Sequence, residues 1–170
     1  LDPSHSQVGF TARHAMVTRV RGAFTDVAGT LTVDGDQPNR SQVDVTIEAA
    51  SVDTRSEDRD AHLRSGDFFD TDTYPTITFT STDIEQHSDV EFRVTGDLKI
   101  RDTSRPVTLD LSLTGVATDP FGNERIGFEG AVEVNRRDWN LTWNAALEAG
   151  GVLVSEKVTL EFDVSAIRSA

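Results

Sequence analysis

The chain predicts an all-β fold, an extended antiparallel barrel of about eight strands, lipocalin-like in shape, with one or two short helices. Three observations carry that reading. Apolar residues recur with period two rather than 3.6. Turn-forming residues separate the apolar runs at short intervals. No apolar run reaches the ~20 residues of a membrane-spanning helix. All 170 residues are assigned to a single domain.

Taken in order, the first run is Val8-Phe10-Ala12, and His14 to Arg19 after it reads as a second, shorter helix or a loop. Val27-Gly29-Leu31-Val33 follows and ends at Asp34-Gly35-Asp36, with Pro38-Asn39 close behind. Val43, Val45, Ile47 and Ala49 alternate with Asp44, Thr46 and Glu48. Ser56 then caps a short helix that runs to Leu63 or Arg64. Glu57, Asp58 and Asp60 occupy its first turn, where the helix dipole favours anions, and Gly66 is the expected stop.

Ile77-Phe79 is a shorter run, and Val90, Phe92, Val94, Gly96, Leu98 and Ile100 a longer one. Arg101 to Ser104 turns the chain into Val107, Leu109, Leu111 and Leu113. Asp119-Pro120-Phe121-Gly122-Asn123 leads into Phe128-Gly130-Val132-Val134. Gly150-Gly151 precedes the last run, Val158, Leu160, Phe162 and Val164. Each run has one apolar and one wet face, as antiparallel strands with one buried side do. Gly29, Gly96 and Gly130 lie inside strands, where a glycine marks a bulge, a bend or a close approach. Such points favour a closing barrel over a flat sandwich, and small interior residues leave room inside it.

Charge narrows the function. Sixteen Lys and Arg stand against 29 Asp and Glu, a net −13. A field of that sign repels phosphate backbones, so no nucleic-acid partner is expected, and docking on an anionic membrane through a basic patch is disfavoured. No signal peptide is expected at Leu1-Asp2-Pro3-Ser4, and the compartment stays open between cytoplasm and export. Cysteine is absent, which removes disulfides, thiolate metal ligands and a cysteine nucleophile.

Enzyme motifs are missing. There is no G-x-S-x-G elbow, P-loop or dinucleotide fingerprint. Four histidines are present: His5, His14, His62 and His87. None belongs to an H-E-x-x-H or similar local ligand set, and the odd spacing of His5 and His14 puts them on opposite faces of an uninterrupted strand. Convergence of His5, His14 and His62 with Asp60 or Asp67 in space remains as the alternative, a metal-dependent hydrolase or isomerase. The primary expectation is a non-enzymatic binder with no cofactor.

Two stretches mix His, Arg and Asp with Phe: Asp2 to His14 and Arg59 to Asp70. The first holds Asp2-x-x-His5-Ser6-x-Val8-x-Phe10. The second holds Arg59-Asp60-Ala61-His62-Leu63 and Asp67-Phe68-Phe69-Asp70. With Tyr74 to Phe79, Ser81, Gly96 to Arg101, Arg105-Pro106-Val107, Asn135-Arg136 and Leu153 to Val158, they resemble the YceI-like family over almost the whole chain. The resemblance implies an extended lipocalin-like barrel whose long interior pocket binds polyisoprenoid or related long-chain lipids, in a family that often forms homodimers. Storage or transport of such a lipid is the implied role. Arg101 to Ser104 departs from a glycine-bearing turn, and Asp138-Trp139-Asn140-Leu141 from a Phe-Gly-Leu type segment.

An isoprenoid chain binds by burial, at about 0.8 kcal/mol per CH2-sized group. The bulky candidates for walls or mouth are Phe10, Phe24, Phe68, Phe69, Phe79, Phe128, Trp139 and Trp143. Met16 is the adaptable side chain for an entrance. His14 belongs to the same polar and aromatic stretch. Arg13, Arg19, Arg21, Arg59 and His62 are the supply of positive charge for an anionic head group. Arg59 and His62 have a second use, pairing with Asp58, Asp60, Asp67 or Asp70 to fasten the helix.

Overall fold

The computed structural model describes residues 1–148 and 150–169. Among the described residues ten strands are present: β1 (Gln7–His14), β2 (Thr18–Phe24), β3 (Val27–Thr32), β4 (Gln42–Glu48), β5 (Val52–Asp53), β6 (Thr76–Gln86), β7 (Glu91–Ile100), β8 (Thr103–Thr118), β9 (Glu124–Asn135) and β10 (Lys157–Ile167). They form one antiparallel, strongly curled sheet in the order β3-β4-β6-β7-β8-β9-β10-β1-β2-β5.

The two ends of that order are joined by the chain itself. β2 runs into β3 across Thr25 and Asp26, and β4 runs into β5 across the 3₁₀ turn Ala49–Ser51. β3 pairs with β4, Val27 opposite Ile47, while β2 pairs with β5, Phe24 opposite Val52. Each is therefore one bent strand, and the two bent strands track each other round a corner. The corner is tied by Thr25 N–H to Ser51 O and Glu48 N–H to Asp26 O. The expected eight strands are these ten with the two bent pairs each counted once.

The alternation read from the sequence is the pleat of this sheet. Val8, Val27, Ile47, Ile77, Ile84, Val94, Leu98, Val107 and Leu109 all turn inward and are buried. Register shifts lie between Ser81 and Asp83 and between Leu113 and Gly115. Such bulges raise the local twist that closes a sheet.

The one α-helix among the described residues, α1 (Glu57–Arg64), starts at Ser56, whose Oγ accepts from Arg59 N–H. It ends at Ser65, where the backbone turns extended. The C-cap is Ser65, which puts Gly66 at C′ where it was expected, without the positive φ of a glycine stop. Ser65 Oγ donates to His62 O, which satisfies a terminal carbonyl without a left-handed residue. Of the two readings of His14 to Arg19, a short helix or a loop, the structure has a loop: Ala15 to Val17 connect β1 to β2, with Val17 N–H bonded to His14 O at 3.1 Å. Ala15 and Met16 both have positive φ, 50° and 63°. Both lie in the left-handed region, held in this three-residue connection by residues that adopt it at a cost.

Candidate ligand cavity

The curled sheet encloses a cavity of about 300 Å³. Thirty-seven residues line it, and of these only Ser41 and Arg136 carry a polar side chain other than the Trp139 indole. Along β9 the lining runs from Ile126 to Val134. At a strand rise of about 3.3 Å and a tilt near 40°, that is a tunnel of about 20 Å.

One end is covered. Phe68, Trp139 and Leu141 are buried there, and Leu63 of α1 joins the lining. Trp139 sits on the 3₁₀ turn Arg136–Trp139 after β9, and its Nε1–H donates to Leu98 O at 2.8 Å. That bond satisfies the indole and fixes the ring across the tunnel. The other end is bordered by turns, and apolar side chains stand exposed near it: Val33, Val90, Val116 and Phe121.

Glycines shape the walls through the close approach expected of a strand glycine. They do not leave holes; large neighbours lie down on them. A Cβ at Gly22 would stand 2.3 Å from the Phe10 ring, and one at Gly96 would stand 2.5 Å from the Phe79 ring. Gly22 is opposite Phe10 across β1 and β2, so both face the lumen. The missing Cβ lets each ring lie flat on the wall, which keeps the axis clear. Phe10, Phe24 and Phe69 then form a continuous aromatic strip, with centroids 5.8 and 5.7 Å apart. Phe92 and Phe128 make an edge-to-face pair elsewhere on the wall.

The twelve residues singled out from the sequence divide into two groups. Phe10, Phe24, Phe68, Phe69, Phe79, Phe128 and Trp139 line the cavity. His14, Met16, Arg59, His62 and Trp143 do not. His14 and Met16 lie in the exposed β1–β2 hairpin end, where His14 bridges to Val154 and the Met16 sulfur rests against Gly151. Arg59 donates from Nε to Thr54 Oγ1 and from Nη2 to Thr54 O. Asp60 accepts from the Thr54 N–H and hydroxyl, so the pair fastens α1 to the end of β5. His62 bonds Asp67 at 2.9 Å and packs edge-on to Phe68 and Trp143, outside the lining.

Arg136 is the charged lining residue that the candidate list lacked. It is 7% exposed. Its guanidinium donates to four backbone carbonyls: Ser155 and Val154 from Nε and Nη2, Leu141 and Trp143 from Nη1. It thereby ties the end of β9 to the 141–155 segment. Burial pushes its pKa down; the charge of Glu156 works the other way, and Arg137 adds to the lowering. Arg136 continues the inward phase of Gly130-Val132-Val134 and stands in the family-like pair Asn135-Arg136, but neither signal says that a charged side chain lines the cavity.

The histidines needed for the metal alternative are far apart. His5 precedes β1 and bonds Asp2, His14 ends the same strand, and His62 is on α1. Among the described residues no group of three His, Asp or Glu is placed to hold a metal ion. That reading loses the convergence on which it depended.

Comparison with known proteins agrees with this architecture. Protein YceI of Escherichia coli O157:H7 is 42% identical over 137 residues, 81% of this chain and 71% of that protein. The crystal structure of the Campylobacter jejuni YCEI protein superposes with a TM-score of 0.80 at 32% identity, covering 100% of this chain and 97% of that one. A polyisoprenoid binding domain from Saccharophagus degradans shares the fold, with a TM-score of 0.74 at 16% identity over 99% and 97% of the two chains. The model of the YceI-like domain matches residues 1–166, and the chain belongs to that family.

Proposed function

We propose that this protein binds, stores or transports one long-chain apolar lipid, of polyisoprenoid type, inside its curled sheet. The observation that carries the reading is the cavity of about 300 Å³ with an almost wholly apolar lining. The binding named for the Saccharophagus degradans domain of like fold supports the ligand class. Phe10, Phe24, Phe68, Phe69, Phe79, Phe128 and Trp139 are the proposed aromatic contacts.

Energetics favour a long ligand. Association costs about 4–15 kcal/mol in lost freedom, and each buried CH2 returns about 0.8 kcal/mol. A chain of about five carbons therefore barely holds, whereas about fifteen carbons contribute roughly 12 kcal/mol. Affinity should rise with chain length until the tunnel of about 20 Å is full. Native mass spectrometry with lipid extraction of the purified protein tests this, together with titration of prenyl compounds of increasing length. A protein that carries no lipid and takes up none of the prenyl series would overturn the proposal.

A further inference from the structure

The geometry points to a head-group subsite at the covered end of the tunnel, where Arg136 receives the carboxylate of a carboxyl-terminated chain. This rests on the proposed binding of an apolar chain in the same cavity. Three features carry it. Arg136 is the only charged side chain among the described lining residues. Its four hydrogen bonds all go to neutral carbonyls, and no described carboxylate forms an ion pair with it. Glu156, the carboxylate whose charge acts on Arg136, is hydrogen-bonded to Arg137 instead. A guanidinium has five N–H donors. Nε uses one, Nη1 two and Nη2 one, so one Nη2 N–H is left over.

A buried charge is ordinarily paired. Here carbonyl dipoles solvate the cation without neutralising it. If anchoring the 141–155 segment were the whole purpose, a neutral donor would avoid the desolvation of a full charge. A ligand carboxylate supplies the missing counter-charge and accepts the fifth N–H, while its chain runs along the Phe10–Phe24–Phe69 strip. The consequence is an orientation: head inward under Trp139 and Leu141, tail toward the turn-bordered end. The acidic exterior then has no part in holding the head group.

The probes are hexadecanoic acid labelled with ¹³C at the carboxyl and hexadecanol. In the wild-type protein the bound carboxyl carbon should appear at the ionised position and stay sharp when an aqueous paramagnetic quencher is added. The acid-to-alcohol affinity ratio should fall about tenfold in Arg136→Met, the value of one charge-assisted contact. Arg136→Lys, which keeps the charge, should retain part of the preference. A carboxyl signal broadened by the quencher puts the head at the other end and overturns the inference. So does an unchanged ratio in a folded Arg136→Met. If Arg136→Met fails to fold, the quencher measurement on the wild type decides alone. Failure of both acid and alcohol to bind refutes the apolar-ligand reading itself, a separate outcome.

Discussion

Gly22→Ala is the sharpest probe of how the walls are built. The new Cβ would lie 2.3, 2.7 and 2.9 Å from three atoms of the Phe10 ring. Carbon atoms rest at about 3.5–4.0 Å, so the ring must retreat by about 1.2–1.7 Å. No backbone atom stands among the three nearest, so the main chain can stay where it is. The free direction is the lumen. Twisting the ring off its rotamer costs about 0.5–1.5 kcal/mol, and replacing Gly by Ala returns about 0.4–1 kcal/mol through the unfolded chain. Net stability should therefore change by no more than about 1 kcal/mol. The displaced ring takes the room of one or two methylenes, about 0.8–1.6 kcal/mol, so a tunnel-filling prenyl ligand should bind about four- to fifteenfold more weakly. Urea unfolding of the free protein gives the first quantity, and ligand titration followed by fluorescence of the cavity-lining Trp139 the second. Repeating Gly22→Ala in a Phe10→Ala background removes the ring, and the affinity loss should vanish. An equal loss in that background, or a large stability loss with unchanged binding, refutes the reasoning.

Gly96→Ala is the contrasting case: its Cβ would also meet Thr80 O at 2.6 Å, so backbone must move and stability should fall by about 1–3 kcal/mol in urea unfolding. Trp139→Phe loses the indole bond to Leu98 O, an expected cost of about 1 kcal/mol in a denaturant titration. Ala15→Gly relieves a φ of 50° in the β1–β2 turn and should raise stability by about 1 kcal/mol in a thermal melt. Arg125 bonds both Asp2 and Asp119 and holds each carboxyl well below the usual carboxylate range. With folded pKa values lowered, that contribution is complete above the unfolded value near 3.9 and is lost as pH falls through the folded ones. The melting-temperature gap between wild type and Arg125→Met should thus be full at pH 6 and shrink progressively below about pH 4; a gap constant across that range rejects the assignment.

The sequence by itself determined the antiparallel β class, because period-two alternation in Val43–Ala49 or Val107–Leu113 gives strands with one apolar face, and its strand glycines favoured closure over a flat sandwich. It also determined α1, whose Ser56 cap and acidic first turn are local signals. Of the lining aromatics, Phe10, Phe24, Phe79 and Phe128 were legible because inward positions follow from the pleat, whereas Phe68, Phe69 and Trp139 lie outside the strands. Tertiary structure decided what depends on partners distant in sequence. β2 and β3, or β4 and β5, are read as separate runs or as one only when the corner between them is seen. Whether Gly22 and Gly96 leave holes or seat aromatic rings depends on which side chain crosses from the neighbouring strand. Arg59 and His62 are a possible head-group site on composition, yet Thr54 and Asp67 claim them. Arg136 is marked in the sequence only by its phase with Val134 and by the Asn135-Arg136 pair, whereas its contacts come from the carbonyls of Leu141, Trp143, Val154 and Ser155. The pleat is a property of one strand, whereas a cavity is a property of the space that all the strands enclose together.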